Sequence, residues 1–124
     1  MEKKKRILVV DDEPGILRFV RVSLTAAGYD VATADRGEEA LRLVQSDNPD
    51  AVLLDILMVP MDGLEVLDKL RKFSQVPVIV FTARAFVAEQ AMKLGANGFV
   101  SKPFRPEELV KRIEDTLDRH KQGD

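Results

Sequence analysis

Five side chains suited to phosphoryl chemistry follow short apolar runs of this sequence. Asp11 and Asp12 come after the first run and Asp55 after the second, while Thr82 and Lys102 come after the third and fourth. If the runs are parallel strands of one sheet, their carboxyl ends lie along a single edge, where ligands bind in open α/β folds. Three carboxylates, a hydroxyl and an ammonium would then converge there. The four runs are residues 7–10, 51–54, 78–81 and 99–101.

The three carboxylates predict a site for a hard divalent cation. Like charges that share a partly desolvated pocket are costly unless they are protonated or matched by a cation. Oxygen ligands favour Mg²⁺ over zinc or copper, and Mg²⁺ accepts few protein carboxylates, which leaves room for a phosphate oxygen. The alternative is that Asp11, Asp12 and Asp55 only cap the helices that follow them. We expect Mg²⁺ as the cofactor of this site.

Asp55 is the candidate nucleophile, because it stands alone at the end of the central apolar run. A carboxylate can attack phosphorus and form an acyl phosphate. The ammonium of Lys102 and a bound metal would neutralise the equatorial phosphoryl oxygens, and the Thr82 hydroxyl would donate a further hydrogen bond. Mg²⁺ and Lys102 together balance the three carboxylates, and a phosphoryl group on Asp55 leaves a single net negative charge. The site therefore suits the phosphorylated state.

The rest of the sequence predicts the elements that would bring these residues together. Strand-like and helix-like patterns alternate five times, which predicts five βα units with right-handed crossovers and helices on both faces of a parallel sheet. We expect a single doubly wound α/β domain over residues 1–124, with its core at about 6–120 and the flavodoxin-like strand order 2-1-3-4-5. That order places the switch point between the first and third strands, which end at Asp12 and Asp55.

Local signals predict the ends of several elements. Asp35 and Asp62 are each followed three residues later by a glutamate, the spacing of a capping box, so each predicts a helix start. The half-polar residues 29–34 predict a strand near the sheet edge. A weaker helical pattern covers about 86–94 and stops at Gly95.

Composition and charge exclude several classes of function. The chain is 45% hydrophobic and 32% charged with a formal net charge of −2, so no global field draws it to nucleic acid or an anionic membrane. No stretch approaches the length of a membrane span. Cysteine is absent, which removes disulfides, thiolate nucleophiles and soft-metal sites. We expect a cytoplasmic protein that binds neither nucleic acid nor membrane through this segment.

The motifs that carry this chemistry closely resemble those of the receiver domain of two-component response regulators. They are the pair Asp11-Asp12, the stretch 55–63, the pair Thr82-Ala83 and the stretch 95–104, which reads Gly-Ala-Asn-Gly-Phe-Val-Ser-Lys-Pro-Phe. Each motif alone is weak evidence, but all of them in this order and spacing form a specific signal. The resemblance extends from residue 7 through the last predicted helix.

The resemblance implies roles for individual residues. Asp55 would be the phosphoacceptor, with Asp12 binding Mg²⁺ directly, Asp11 mainly through water and the Leu57 backbone carbonyl as a further ligand. The donor would be a phosphohistidine on a sensor histidine kinase or a histidine phosphotransfer protein. The chain would not be an enzyme toward other substrates, since it would catalyse only phosphoryl transfer to, and hydrolysis from, its own Asp55.

The resemblance also implies how the signal leaves the site. A phosphoryl group would draw the Thr82 hydroxyl inward, and Phe99 on the neighbouring strand would turn from exposed to buried. A partner would then sense a changed surface on the fourth helix, fifth strand and fifth helix. The alternative is that Phe99 is a half-buried strand residue with no switching role. The family also implies a cis peptide at Lys102-Pro103, which is feasible because proline lowers the cis penalty.

Three features depart from the usual receiver pattern. Only twelve residues separate Thr82 from Gly95, so the fourth helix or the loop before it must be shortened. Asn97-Gly98 replaces an acidic pair common in receivers that dimerise through this face, so we expect a monomer or a weak dimer. Pro60 comes one residue later than usual after the phosphoacceptor, which would alter the loop over the metal.

Two other functions match parts of the pattern. A phosphohydrolase that works through an aspartyl phosphate often carries a second aspartate two residues after the nucleophile, where this chain has Leu57. A binding module with the same acidic pocket would never become phosphorylated, although the full set of Asp55, Thr82 and Lys102 argues against it. Nucleotide binding by this fold is disfavoured, because the sequence has no glycine-rich phosphate-binding loop after the first strand. We find no output domain within these residues, and the downstream target stays open.

Overall fold

Strands and helices alternate along the whole described chain. The structure is a computed structural model, and it describes residues 4–123, with side chains up to His120. The strands are β1 (Arg6–Val10), β2 (Asp30–Ala34), β3 (Ala51–Asp55), β4 (Val78–Thr82) and β5 (Gly98–Ser101). The helices are α1 (Pro14–Ala26), α2 (Gly37–Asp47), α3 (Gly63–Leu70), α4 (Ala85–Lys93) and α5 (Pro106–Gly123). No helix within residues 4–123 has the length and apolar composition needed to cross a bilayer.

The strands form one parallel sheet in the order β2-β1-β3-β4-β5, which confirms the predicted topology. The chain reverses its direction of travel across the sheet between β1 and β3, so a crevice opens at their carboxyl ends. The pairing register keeps the strand ends level: Val10 pairs with Leu54, Asp55 with Phe81, and Thr82 with Ser101. Polar residues at these ends are therefore neighbours.

Helices cover both faces of the sheet. α1 and α5 pack together on one face, and α2, α3 and α4 cover the other. β3 and β4 are buried at every position because both of their faces are covered, which explains their solidly apolar sequence. β2 lies at one edge and is only partly buried, as its half-polar sequence predicted.

One of the two predicted helix caps is present, and the other prediction was wrong. The Asp62 side chain accepts a hydrogen bond from the Glu65 N–H at 2.9 Å and caps α3. α2 begins after Arg36 and has no side-chain cap, so Asp35 lies one residue too early to cap it. The start of α2 is decided by packing instead, because Gly37 is buried so closely against Val66 that a Cβ would come within 2.6 Å of it.

α4 begins almost at once after β4, in the region where the sequence predicts a shortened helix or loop. Only Ala83 and Arg84 connect Thr82 to the nine-residue helix Ala85–Lys93. The helix lies one residue earlier than the pattern predicted, and Gly95 follows its end with φ +104°, a conformation that favours glycine. Both the connection and the helix are short.

Asn97, which stands where the resemblance led us to expect an acidic residue, has a structural role here. Its Oδ1 accepts hydrogen bonds from the Val78 N–H at 2.8 Å and from Arg71 Nη2 at 3.0 Å. Arg71 also donates to the carbonyls of Gly95 and Val76. Together these bonds tie the end of α3 to the turns that enter β4 and β5.

Candidate functional site

The predicted site residues lie together at the carboxyl edge of the sheet. Asp11 directly follows β1, Asp55 and Thr82 are the last residues of β3 and β4, and Lys102 directly follows β5. Asp12 is the next residue after Asp11. Because these strands are adjacent and in register, residues far apart in sequence share one small volume.

The three aspartates form a compact acidic cluster. One carboxylate oxygen from each of Asp11, Asp12 and Asp55 lies within 4.8 Å of the others. Asp11 is fully buried and Asp55 retains only 3% of its exposure, whereas Asp12 is the more accessible. Asp11 Oδ1 accepts a hydrogen bond from the Glu13 N–H at 2.9 Å, which fixes its orientation at the start of α1.

Lys102 bridges the two buried carboxylates. Its Nζ lies 3.3 Å from Asp55 Oδ1 and 3.4 Å from Asp11 Oδ2. The Lys102 backbone N–H donates to the Thr82 carbonyl at 3.0 Å, which places the side chain over the end of β4. The Lys102–Pro103 peptide is cis, as the resemblance implied.

Asp55 sits in a place where its charge is costly. Burial is the main cause that raises its pKa to about 6, and the nearby Asp11 charge raises it further. Lys102 and the Leu57 N–H, which donates to Asp55 Oδ1 at 3.4 Å, oppose this rise without cancelling it. A single ammonium therefore leaves the cluster short of positive charge.

The donor set of this cluster fits Mg²⁺. Carboxylate oxygens are the ligands that Mg²⁺ prefers, and a second cation would offset the charge that Lys102 leaves unmatched. The accessible Asp12 is placed to bind it together with Asp55. The Leu57 carbonyl as a further ligand stays a prediction.

The loop after Asp55 is held tightly against it by α3. The Gly63 N–H donates to the Ile56 carbonyl at 2.8 Å, and a Cβ on Gly63 would come within 2.6 Å of Ile56 Cα. Only glycine allows this approach, so α3 begins directly beneath the nucleophile candidate. The same loop contains a second cis peptide, Val59–Pro60, which the sequence reading did not predict.

Thr82 and Phe99 lie on the same face of neighbouring strands. Thr82 is buried, and its Oγ1 accepts a hydrogen bond from the Arg84 N–H at 3.2 Å. Phe99 pairs with Val80, which is one pleat away from Thr82, and its side chain is 37% exposed. The Thr82 hydroxyl thus faces the loop that follows β4, and the Phe99 side chain faces solvent.

Comparison with known proteins identifies the family. The model of the response regulator receiver domain family matches residues 7–114. This chain belongs to that family. It is 47% identical over 118 residues to the "Probable transcriptional regulator ycf27" of Cyanophora paradoxa, a match that covers 94% of this chain and 49% of the relative. It is 46% identical over 117 residues to response regulator MprA of Mycolicibacterium vanbaalenii, covering 92% and 51%.

Solved receiver structures share this fold. The CheY-like receiver domain protein from Methanospirillum hungatei superposes with a TM-score of 0.93 at 30% identity and covers 98% of this chain and 100% of that one. Chemotaxis protein CheY4 of Vibrio cholerae gives 0.85 at 32% identity, with 92% and 99% covered. The chain is thus a receiver domain of two-component signalling, and it spans about half the length of its curated relatives named above.

The receiver site contains an aromatic contact that the sequence reading missed. Lys102 Nζ lies 4.7 Å from the centroid of the Phe81 ring and over its face. Phe81 in turn meets Phe104 edge to face, with centroids 6.0 Å apart. The position of Phe81 could have indicated this contact, because Phe81 directly precedes Thr82 and pairs with Asp55 across the sheet.

Proposed function

We propose that this receiver accepts a phosphoryl group on Asp55 from a phosphohistidine and passes the signal to a partner surface. The observation that carries the proposal is the position of Lys102, bridging Asp55 and Asp11 at 3.3 and 3.4 Å beside the accessible Asp12. This arrangement supplies a nucleophile, a cation and an acidic cluster at the mouth of one crevice.

The chain's own residues would assist the transfer as follows. Both hydrogen bonds to the Asp55 carboxylate are made to Oδ1, so Oδ2 is the oxygen that attacks. The bond from Oδ2 to phosphorus forms as the bond from phosphorus to the histidine nitrogen breaks, and the imidazole leaves with the electron pair. Lys102 and the Thr82 hydroxyl donate hydrogen bonds to the phosphoryl oxygens.

The acidic cluster would hold the metal. Asp12 and Asp55 would bind Mg²⁺, with Asp11 contributing mainly through water and the Leu57 carbonyl as a further ligand. When bound, the ion supplies positive charge to the phosphoryl oxygens. Toward other substrates the receiver would not act as an enzyme, because the group it transfers ends on its own side chain.

The signal would leave through Thr82 and Phe99. A phosphoryl group on Asp55 would draw the Thr82 hydroxyl away from the Arg84 N–H, which now donates to it. Phe99 would then turn inward against β4 and change the surface formed by α4, β5 and α5. Phe86 on α4 is 70% exposed, and this apolar side chain offers partner contact on that surface.

The partners follow from the chemistry of the site. A sensor histidine kinase or histidine phosphotransfer protein would be the donor. A curated relative carries the name of a transcriptional regulator, and this chain spans about half of its length. We propose that the receiver controls transcription through a partner or a segment outside these residues, and that it is a monomer or weak dimer.

The deciding experiment is phosphorylation of the purified receiver. The protein is incubated with Mg²⁺ and acetyl phosphate, and intact mass is followed beside the Asp55→Asn variant. We expect one phosphoryl adduct on the unchanged protein and none on the variant. Chelation of Mg²⁺ or the Asp12→Asn change should suppress the adduct, while Asp30→Asn at the opposite edge should not.

The alternatives predict different results. No adduct with acetyl phosphate or with a phosphorylated kinase domain would indicate a binding module that is never phosphorylated. Rapid turnover of many phosphomonoesters would indicate a phosphohydrolase. The switch is tested separately by NMR of the Phe99 ring: an environment unchanged by phosphorylation would rule out its proposed movement.

A further inference from the structure

The Lys102 ammonium lies at long hydrogen-bond distances from both of its carboxylate partners. Its distances to Asp55 and Asp11 are 3.3 and 3.4 Å, longer than the roughly 2.7–2.9 Å of a well-formed bond between an ammonium and a carboxylate. The ammonium is therefore shared between two acids and bound firmly to neither. A further contact can therefore help to fix the position of the ammonium.

The Phe81 ring is the third surface that the ammonium meets. Lys102 Nζ lies over its face at 4.7 Å from the centroid, within the range of a cation–π contact. A ring face attracts a cation without accepting its protons in a directed hydrogen bond, so the N–H groups stay available for incoming oxygens. Aliphatic side chains at this position would pack but would not attract the charge.

The fold explains why this ring is under this ammonium. Asp55 and Phe81 are register partners on β3 and β4, so their side chains leave the same face of the sheet. The Thr82 carbonyl accepts the Lys102 N–H at 3.0 Å and directs the lysine back over that face. Phe81 is fully buried and is braced by the edge contact with Phe104, so the ring is a fixed platform.

We propose that Phe81 is a positioning residue for phosphoryl transfer. Its ring holds the Lys102 ammonium between Asp55 and Asp11 while leaving the ammonium protons free to bind the phosphoryl oxygens. This inference rests on the proposed function, because it concerns the rate at which Asp55 is phosphorylated.

The test compares two aromatic residues of the same cluster. Phe81→Leu removes the ring beneath the ammonium, whereas Phe19→Leu removes a ring of α1 that meets Phe104, with centroids 6.1 Å apart. At saturating Mg²⁺ and with acetyl phosphate, Phe81→Leu should slow phosphorylation about three- to tenfold, and Phe19→Leu should stay within about twofold of the unchanged protein. Phe81→Tyr keeps the ring face and should restore the rate. Mg²⁺ affinity should be unchanged by Phe81→Leu, because Phe81 is not a ligand.

A spectroscopic signature separates positioning from packing. The ε-methylene protons of Lys102 should resonate upfield in the unchanged receiver because of the Phe81 ring current, and Phe81→Leu should abolish that shift. Equal rates for Phe81→Leu and the unchanged receiver would overturn the inference, as would equal losses in the two leucine variants. Absence of the upfield shift in the unchanged protein would overturn it even if Phe81→Leu fails to fold. An unchanged receiver that gains no phosphoryl group would instead reject the proposed function.

Discussion

The amino edge of the sheet, where the strands begin, and the carboxyl edge, where they end, each hold three aspartates, two of which pair with one basic side chain, with opposite results. At the amino edge Arg6 bonds Asp30 and Asp47 through its guanidinium at 2.7 and 2.8 Å, and its backbone N–H donates to Asp50 at 2.7 Å. At the carboxyl edge Lys102 reaches its two carboxylates only at 3.3 and 3.4 Å.

Solvation accounts for the difference. The Arg6 side chain is 40% exposed, and water screens the repulsion among its acids. Hydrogen bonding to Asp30 raises the pKa of the Arg6 guanidinium, which favours its charged form. At the carboxyl edge burial raises the pKa of Asp55 to about 6. Similar groups of acids therefore behave differently: where water reaches them they stabilise the fold as ion pairs, and where two of them are buried they form a site short of positive charge.

The largest expected effect is a difference in phosphorylation rate between variants of Lys102 and Arg6. Lys102→Met should slow phosphorylation by acetyl phosphate about a hundredfold or more, because a preorganised cation beside the transferred group is lost. Arg6→Met should leave the rate within about twofold, because its pairs are exposed and distant from the reaction. The rates are measured by intact mass at saturating Mg²⁺. Comparable losses in both variants would mean that the carboxyl edge has no special role.

A second comparison concerns a glycine at each edge. Gly63→Ala should destabilise the protein by about 2–3 kcal/mol, because its Cβ would overlap the backbone at Ile56. Gly28 at the amino edge has φ +98° with open space around it, so Gly28→Ala should cost only about 1 kcal/mol. Urea denaturation measures both free energies of unfolding. A harmless Gly63→Ala would show that α3 can move away from Asp55.

The smallest expected effect tests the cost of the buried charge directly. In EDTA at pH 7, Asp55→Asn should raise the free energy of unfolding by about 2 kcal/mol, since the native pKa of Asp55 near 6 means that folding disfavours its ionised form. Because a raised carboxyl pKa gives stability that is lost as pH rises, the gain should vanish toward pH 4 and grow through pH 6.

The matched control for that measurement is Asp47→Asn at the amino edge. Loss of its exposed pair with Arg6 should lower stability slightly, with an effect that shrinks in high salt. If Asp55→Asn were also destabilising at pH 7, the carboxyl edge would not be short of positive charge, and the comparison between the edges would fail.

Most of the fold was predictable from local patterns. The solidly apolar runs of β3 and β4 indicated strands covered on both faces, and the half-polar β2 indicated an edge strand. Asp62 was correctly predicted to cap α3, because an N-cap bond is made within one turn of chain. The same reasoning failed at Asp35, since contacts between α2 and α3 around Gly37 decide where α2 begins.

The sequence by itself determined which chemical groups meet. Acids, hydroxyl and lysine follow apolar runs, and parallel strand order then brings them to one edge whatever the details of packing. Only the tertiary structure decided how those groups are solvated and oriented: that Asp55 is nearly buried, that Lys102 is shared between two acids, and that a phenyl ring lies beneath it. Burial and cation–π contact depend on distances between residues remote in sequence, and a linear pattern does not encode those distances.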